Sequence, residues 1–130
     1  MKVVFDTNVY VSALVLSGSR GEEALARILQ GRDRLLISKP ILDELLGVLA
    51  RKFSRDAEEL ARVAVFLDEL AERVETGERL AVLSDEPDNR ILECALAGGA
   101  DAVVTGDKPM LALVAWRGIE ILSLARYLDS

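Results

Sequence analysis

The sequence has no histidine and a single cysteine, Cys94, among its 130 residues. The lack of histidine excludes catalysis by Ser-His-Asp or Cys-His groups, a histidine general base and histidine-ligated zinc. One cysteine cannot form an internal disulfide, which favours a reducing, cytoplasmic location. The remaining chemistry depends on carboxylates, hydroxyls, lysine, arginine and hard cations such as Mg²⁺ or Mn²⁺.

Long apolar runs are also missing. No stretch approaches the roughly 20 residues of a membrane-spanning helix, and Asp6 interrupts the first apolar run too early for a signal peptide. Even so, 51% of the residues are hydrophobic, which is enough for a buried core. No linker or repeat divides the chain, so we expect a single domain over residues 1–130 that does not bind membranes.

Short β-branched runs alternate with longer helical stretches along the chain. The pattern predicts strands at 3–5, 34–37, 80–83, 102–104 and 119–122. It predicts helices at 9–16, 21–30, 55–73, 85–97, 109–114 and 124–128, and another that follows Ser38 as N-cap, with Pro40 in its first turn. This alternation is typical of an α/β fold with a parallel sheet and helices on both faces.

Two of the predicted strands are followed by an aspartate. Asp6 directly follows the strand at 3–5, and Asp107 lies just past the strand at 102–104. Ligands of open α/β sheets bind outside the carboxyl ends of the strands, so both side chains should reach the same edge. Each also has a simpler interpretation, since aspartate is a common helix cap and turn residue.

Two predicted helices add further carboxylates. Asp85 is a good N-cap, which places Asp88 in the first turn beside the positive end of the helix, where acids are favoured anyway. Glu44 falls on the flank of an apolar helix face, where an ordinary solvated glutamate is the simpler interpretation. Four carboxylates converging on one cleft would repel one another. A hard divalent cation would relieve that repulsion and could support metal-assisted phosphoryl chemistry.

Four segments that contain these acids occur in order: DTNVYVSA from Asp6, SKPILDEL from Ser38, DNRIL from Asp88 and ADAVVTGD ending at Asp107. Together they make the chain resemble the PIN-domain ribonucleases, and most of all the VapC-like toxins of toxin–antitoxin pairs. The resemblance spans nearly the whole sequence. It implies a three-layer α/β/α sandwich and a Mg²⁺- or Mn²⁺-dependent endoribonuclease that cuts phosphodiesters by water attack.

The resemblance also implies roles for individual residues. The acidic metal site would consist of Asp6, Glu44, Asp88 and Asp107, with Asp6 and Asp88 foremost among the direct ligands. Asn8 would be a polar contact of the site or the substrate, and Thr105 would orient a carboxylate through its hydroxyl. Asp85 lies close enough to exchange roles with Asp88. Similar toxins bind a small antitoxin protein and often form homodimers.

The net charge of −6 is unusual for a protein that binds RNA, because nucleic-acid binding favours basic surfaces. Metal ions would offset part of the pocket's charge, while bases at its rim could hold phosphate. The candidate bases are Arg20, Lys39, Arg51, Lys52, Arg90 and Lys108, although each is more simply a solvated surface charge. We expect weak RNA binding that depends on metal.

Two other functions would also use an acidic pocket at the strand ends. An aspartyl-phosphate phosphatase usually has a second aspartate two residues after the nucleophile, where this chain has Asn8. A non-catalytic, receiver-like domain would act through protein contacts and place a lysine such as Lys108 near the pocket. Glu44 counts against that alternative, since a helix-borne acid is not part of the receiver pattern.

Overall fold

A computed structural model describes residues 1–130 and contains six strands and seven helices. The strands are β1 (Lys2–Phe5), β2 (Arg34–Ile37), β3 (Glu72–Arg73), β4 (Ala102–Val104), β5 (Ala115–Trp116) and β6 (Ile119–Leu122). The helices are α1 (Thr7–Val15), α2 (Arg20–Leu29), α3 (Lys39–Phe53), α4 (Ala57–Leu70), α5 (Glu86–Gly98), α6 (Lys108–Leu111) and α7 (Leu124–Leu128).

The six strands form one sheet in the order β3-β2-β1-β4-β6-β5. All neighbouring pairs are parallel except β5 and β6, which are antiparallel at one edge. The chain extends the sheet from β1 to β2 and β3 on one side, and then returns to β4 on the other side of β1. The carboxyl ends of β1 and β4 therefore flank a topological switch point, where open α/β sheets bind their ligands.

The sheet lies at the centre of a continuous cluster of 31 buried apolar residues. Val3, Val4 and Phe5 follow one another along β1 and are all buried. Because successive strand residues point to opposite faces, β1 must be covered on both sides, as expected for a parallel sheet. The predicted α/β fold is thus confirmed. None of the helices is long and apolar enough to cross a membrane.

The predicted strand at 80–83 is wrong. Residues 80–83 form an irregular loop, because their backbone N–H groups bond to side chains of α5 rather than to a neighbouring strand. The helix predicted at 55–73 is shorter, since Asp56 and Glu59 form a capping box at its start and Glu72–Arg73 joins the sheet as β3. Ser38 occupies the N-cap position of α3, but its side chain makes no capping hydrogen bond.

Candidate metal centre at the carboxyl edge of the sheet

Asp6 ends β1 and occupies the N-cap position of α1, yet its side chain does not cap that helix. Its backbone N–H instead donates to the carbonyl of Val104 at 3.0 Å, which joins the ends of β1 and β4. The Asp6 side chain is almost fully buried, with 6% exposed. Burial raises the pKa of Asp6, and the nearby charge of Asp107 acts in the same direction.

Thr105 connects Asp6 to Asp107. Its buried hydroxyl donates a hydrogen bond of 2.6 Å to Oδ2 of Asp6 and accepts one of 2.9 Å from the backbone N–H of Asp107. Asp107 in turn caps α6, because its Oδ2 accepts from the backbone N–H of Met110 at 3.1 Å. The simpler interpretation of Asp107 as a helix cap is therefore correct, but capping occupies only one of its two oxygens.

Asp88 is the most perturbed acid of the cluster. It lies in the first turn of α5 and is 5% exposed, and its Oδ2 is buried without a hydrogen-bond partner. Burial raises the pKa of Asp88 to about 8, and the nearby carboxyl of Asp107 and the charges of Asp6 and Asp85 add to the shift. A buried carboxylate oxygen without a donor is costly unless a cation or a proton compensates it.

Glu44 approaches the cluster from α3 and is half-buried. Burial raises the pKa of Glu44, as do the charges of Asp6 and Asp85, while the charge of Arg51 lowers it. Asp85 is exposed at the N-cap position of α5 without a side-chain capping bond. Neighbouring acids therefore raise the pKa values of Asp6, Glu44 and Asp88, and the charges that act on Glu44 are those of Asp6 and Asp85. Asn8 is exposed in the first turn of α1.

The donor chemistry of this edge suits a hard divalent cation. All the acidic side chains offer oxygen, and the unpartnered Oδ2 of Asp88 is a free ligand atom. No three acidic side chains stand close enough to enclose a metal ion by themselves. Mg²⁺ does not require this, because proteins usually bind it through one or two carboxylates while it keeps several waters. The residues present therefore fit a partly hydrated Mg²⁺ or Mn²⁺.

Asn89, next to Asp88, has a role that the sequence analysis missed. Its buried side-chain oxygen accepts from the N–H groups of Val82 (3.0 Å) and Leu83 (2.8 Å), and its amide donates to the carbonyl of Leu83 at 2.8 Å. These three bonds attach the loop that leads into Asp85 to helix α5. The available signal was a polar residue at a helical position that alternates with the apolar residues Ile91, Leu92 and Ala95.

Glu93, one turn after Asn89, holds the start of the same loop. It is buried, accepts from the N–H of Leu80 at 2.8 Å and pairs with Arg90 at 3.0 Å. Arg90 also donates to the carbonyl of Leu80. Arg90 is therefore a structural residue and not a free base at the rim, and Lys39 is similarly paired with Asp43 at 2.8 Å.

The sheet is mostly parallel and has buried acids at its switch point. These features place the protein in the class of α/β proteins with an acidic site at the carboxyl edge of the sheet. Comparison with known families is more specific. The PIN domain family model matches residues 2–109, so the chain belongs to the PIN domain family. The predicted resemblance is confirmed at this level, and PIN domains are generally nucleases.

Individual relatives are distant. The chain is 26% identical over 117 residues to the uncharacterized protein MJ1680 of Methanocaldococcus jannaschii, an alignment that covers 87% of this chain and 75% of that protein. It shares its fold with a chain of VapBC2 from Rickettsia felis, solved with a DNA fragment from the promoter, with a TM-score of 0.67, 17% identity and coverage of 95% and 98% of the two chains. It also shares its fold with a chain of VapBC-1 from nontypeable Haemophilus influenzae, with a TM-score of 0.68 and 16% identity. That match covers 96% of this chain and 99% of the other.

Proposed function

We propose that this protein is a metal-dependent endoribonuclease that hydrolyses phosphodiester bonds of RNA. The observation that carries the proposal is the buried, unpartnered Oδ2 of Asp88 within a set of acids at the switch point of the sheet. Membership of a family of nucleases supports the same reaction class. The chain has no histidine and its single cysteine is buried, so a site built from carboxylates favours metal-assisted hydrolysis.

In this proposal Oδ2 of Asp88 and a carboxylate oxygen of Asp6 or Asp107 would bind Mg²⁺ or Mn²⁺ directly. The remaining acid of this group, and Glu44 from α3, would act on the ion through its bound waters. The cation, when bound, lowers the pKa of a water and neutralises charge on the phosphate. Thr105 holds the Asp6 carboxylate in one orientation through its hydroxyl. Asn8, exposed in the first turn of α1, is placed to contact polar groups of the RNA, and Asp85 adds negative charge at the outer rim.

We further propose that the protein is the toxin of a toxin–antitoxin pair and binds a small antitoxin protein. The fold that it shares with chains of two VapBC structures supports this assignment. Homodimer formation is part of the same proposal. So is a cytoplasmic location, which the buried free thiol of Cys94 supports, and so is a single PIN domain over residues 1–130, which the continuous core supports.

The test is an endoribonuclease assay on purified protein with single-stranded and structured RNA. We expect cleavage with Mn²⁺ or Mg²⁺, none with EDTA, and none by the Asp6→Asn variant purified in the same way. Asp6→Asn keeps the shape and one acceptor oxygen for Thr105 but removes the charge. Cleavage that survives Asp6→Asn undiminished would show that the activity comes from a contaminant or that the site is elsewhere.

A further inference from the structure

Helix α3 places three residues on the face that carries Glu44. Gly47 and Arg51 follow Glu44 by three and seven positions, so they lie in the same row along the helix. Long side chains on a helix lean towards its amino terminus. Arg51 therefore extends back over Gly47 and towards Glu44, which is the member of the acidic cluster that α3 provides.

Gly47 leaves the space that the Arg51 side chain occupies. A Cβ atom added at Gly47 would lie 2.7 Å from Nη1 of Arg51 and 3.5 Å from its Cζ, and the atoms nearest to it all belong to the Arg51 guanidinium. The helical backbone at Gly47 has no positive φ. Glycine lowers the stability of a helix interior relative to alanine, so neither the backbone conformation nor helix stability explains its presence.

The side chain of Arg51 lies along the helix without an ion-pair partner. It forms no salt bridge, whereas Arg62 pairs with Glu58 and Arg55 with Glu59. It is exposed, and its charge acts on the Glu44 carboxyl without direct contact. A guanidinium that remains unpaired beside a group of acids keeps all its donors free for an anion, and its planar fork matches the geometry of phosphate.

We propose that Arg51 binds a backbone phosphate of the RNA strand beside the acidic centre, and that Gly47 is a positioning residue that leaves room for the guanidinium. The identity of the substrate rests on the proposed function above. The protein has a net charge of −6, so RNA that approaches the acidic centre is repelled. The guanidinium of Arg51 supplies a positive charge at that place. Of the six candidate bases, Lys39 and Arg90 are engaged in ion pairs. Arg51 differs from the remaining bases in lying over Gly47 with its charge acting on Glu44.

The test measures binding and stability separately. Binding is followed by fluorescence anisotropy with a labelled single-stranded RNA oligonucleotide on protein with intact Asp6. Ca²⁺, which also binds carboxylate oxygens, replaces Mg²⁺, and the probe is checked on a gel to be intact. We expect Gly47→Ala to raise the melting temperature, because alanine favours the helix and the flexible end of Arg51 can move aside. The same substitution should weaken RNA binding about tenfold, as should Arg51→Ala, because each removes a charge-assisted phosphate contact.

Two further readouts separate a phosphate contact from a structural effect. Arg51→Ala should reduce the slope of log K against log salt by about 0.7, the value for one phosphate contact on a single strand. In the Arg51→Ala background, Gly47→Ala should have no further effect on binding, since the two residues act through one guanidinium. Arg126→Ala is the control, because it removes an exposed arginine of α7 that has no ion pair, and it should leave binding unchanged.

The inference is overturned if Gly47→Ala binds the probe as tightly as the parent, if it weakens binding equally without Arg51, or if the parent binds no RNA. A fall in melting temperature on Gly47→Ala would also contradict it, because Arg51 would then not be the group that moves. Failure of the proposed nuclease function gives a different result. The protein with intact Asp6 would then not cleave RNA with metal, while the binding series would still decide the role of Arg51.

Discussion

The hydroxyl of Thr105 donates a hydrogen bond of 2.6 Å to Oδ2 of Asp6, and the two residues are 99 positions apart in the chain. The parallel pairing of β1 with β4 brings them together. The same hydroxyl accepts the N–H of Asp107. The buried hydroxyl of Thr105 therefore orients the Asp6 carboxylate at the end of β1. It also fixes the backbone of Asp107, the second acid, just after β4.

Replacing Thr105 with valine tests this connection at nearly constant shape. Thr105→Val leaves Asp6 without its donor and the N–H of Asp107 without its acceptor, so we expect about 1–3 kcal/mol of lost stability. If Asp6 is a metal ligand, RNA cleavage should also fall by about 10- to 100-fold, as is typical for outer partners of metal ligands. Thr105→Ser keeps the hydroxyl and should retain most of the activity. A valine variant with the parental rate would show that the hydroxyl does not orient a ligand.

Glu44 and Asp43 form a matched pair on adjacent positions of α3. Glu44 is half-buried and within electrostatic reach of Asp6, whereas Asp43 is exposed and paired with Lys39. Glu44→Gln should reduce the rate of metal-dependent cleavage by about tenfold or more, because it removes a charge from the acidic set. Asp43→Asn removes the same charge from solvent and should change the rate by less than about twofold. Equal losses in both variants would indicate a general charge effect on α3.

Asn89 is expected to control the loop that precedes Asp85. Asn89→Leu removes all three hydrogen bonds to Val82 and Leu83, so the amides of these two residues should lose protection in hydrogen exchange. Glu93→Gln is the comparison, because it weakens the contact with the N–H of Leu80 and leaves the Asn89 contacts in place. If Val82 and Leu83 stay protected in Asn89→Leu, the loop is held by its own packing.

The raised pKa of Asp88 predicts how stability depends on pH without metal. Its pKa of about 8 in the folded state exceeds the ordinary value of 3.8, so the folded state binds the extra proton between these values. Stability from this group is then complete below about pH 4 and is lost as the pH rises through 8. Asp88→Asn should remove this loss and raise the melting temperature at pH 8 in EDTA.

Addition of a divalent cation should reverse the effect of pH in the parent protein. Mg²⁺ or Mn²⁺ at about 100 times its dissociation constant should stabilise the folded state by about 2.7 kcal/mol at pH 8. Asp88→Asn should respond far less, because the amide has no negative charge and is a weaker ligand for a hard cation than a carboxylate. Thermal unfolding with and without metal, at pH 5 and pH 8, measures both effects. If the melting temperature of the parent protein does not change on addition of metal at either pH, Asp88 is not a metal ligand.

Much of the fold could be predicted because its central elements have strong local patterns. The buried runs of β1, β2, β4 and β6 are short, apolar and bounded by turn residues. The strands β3 and β5 were missed, since two residues cannot show a periodic pattern. The apolar run at Leu80 suggested a strand, but side chains of Asn89 and Glu93 bind its backbone, and no local rule predicts that contact.

The acidic residues of the candidate site could also be predicted from local features of the sequence. Strand ends and helix starts are local features, and the topology of a parallel sheet brings them to one edge. Family resemblance alone predicted that Thr105 would orient a carboxylate, and the structure identifies that carboxylate as Asp6. The space over Gly47 could not be predicted at all, because it depends on where the Arg51 side chain lies and not on the residue types.

The central claim is that Asp88 of α5, together with the acids at the carboxyl ends of β1 and β4, holds the catalytic metal. The most direct measurement is an anomalous difference map from crystals of the protein grown or soaked with Mn²⁺. We predict a Mn²⁺ peak at this edge, with Oδ2 of Asp88 as a ligand and carboxylate oxygens of Asp6 or Asp107 in its coordination shell. A map without a peak at this edge at saturating Mn²⁺, or with its only peak away from these residues, would contradict the account.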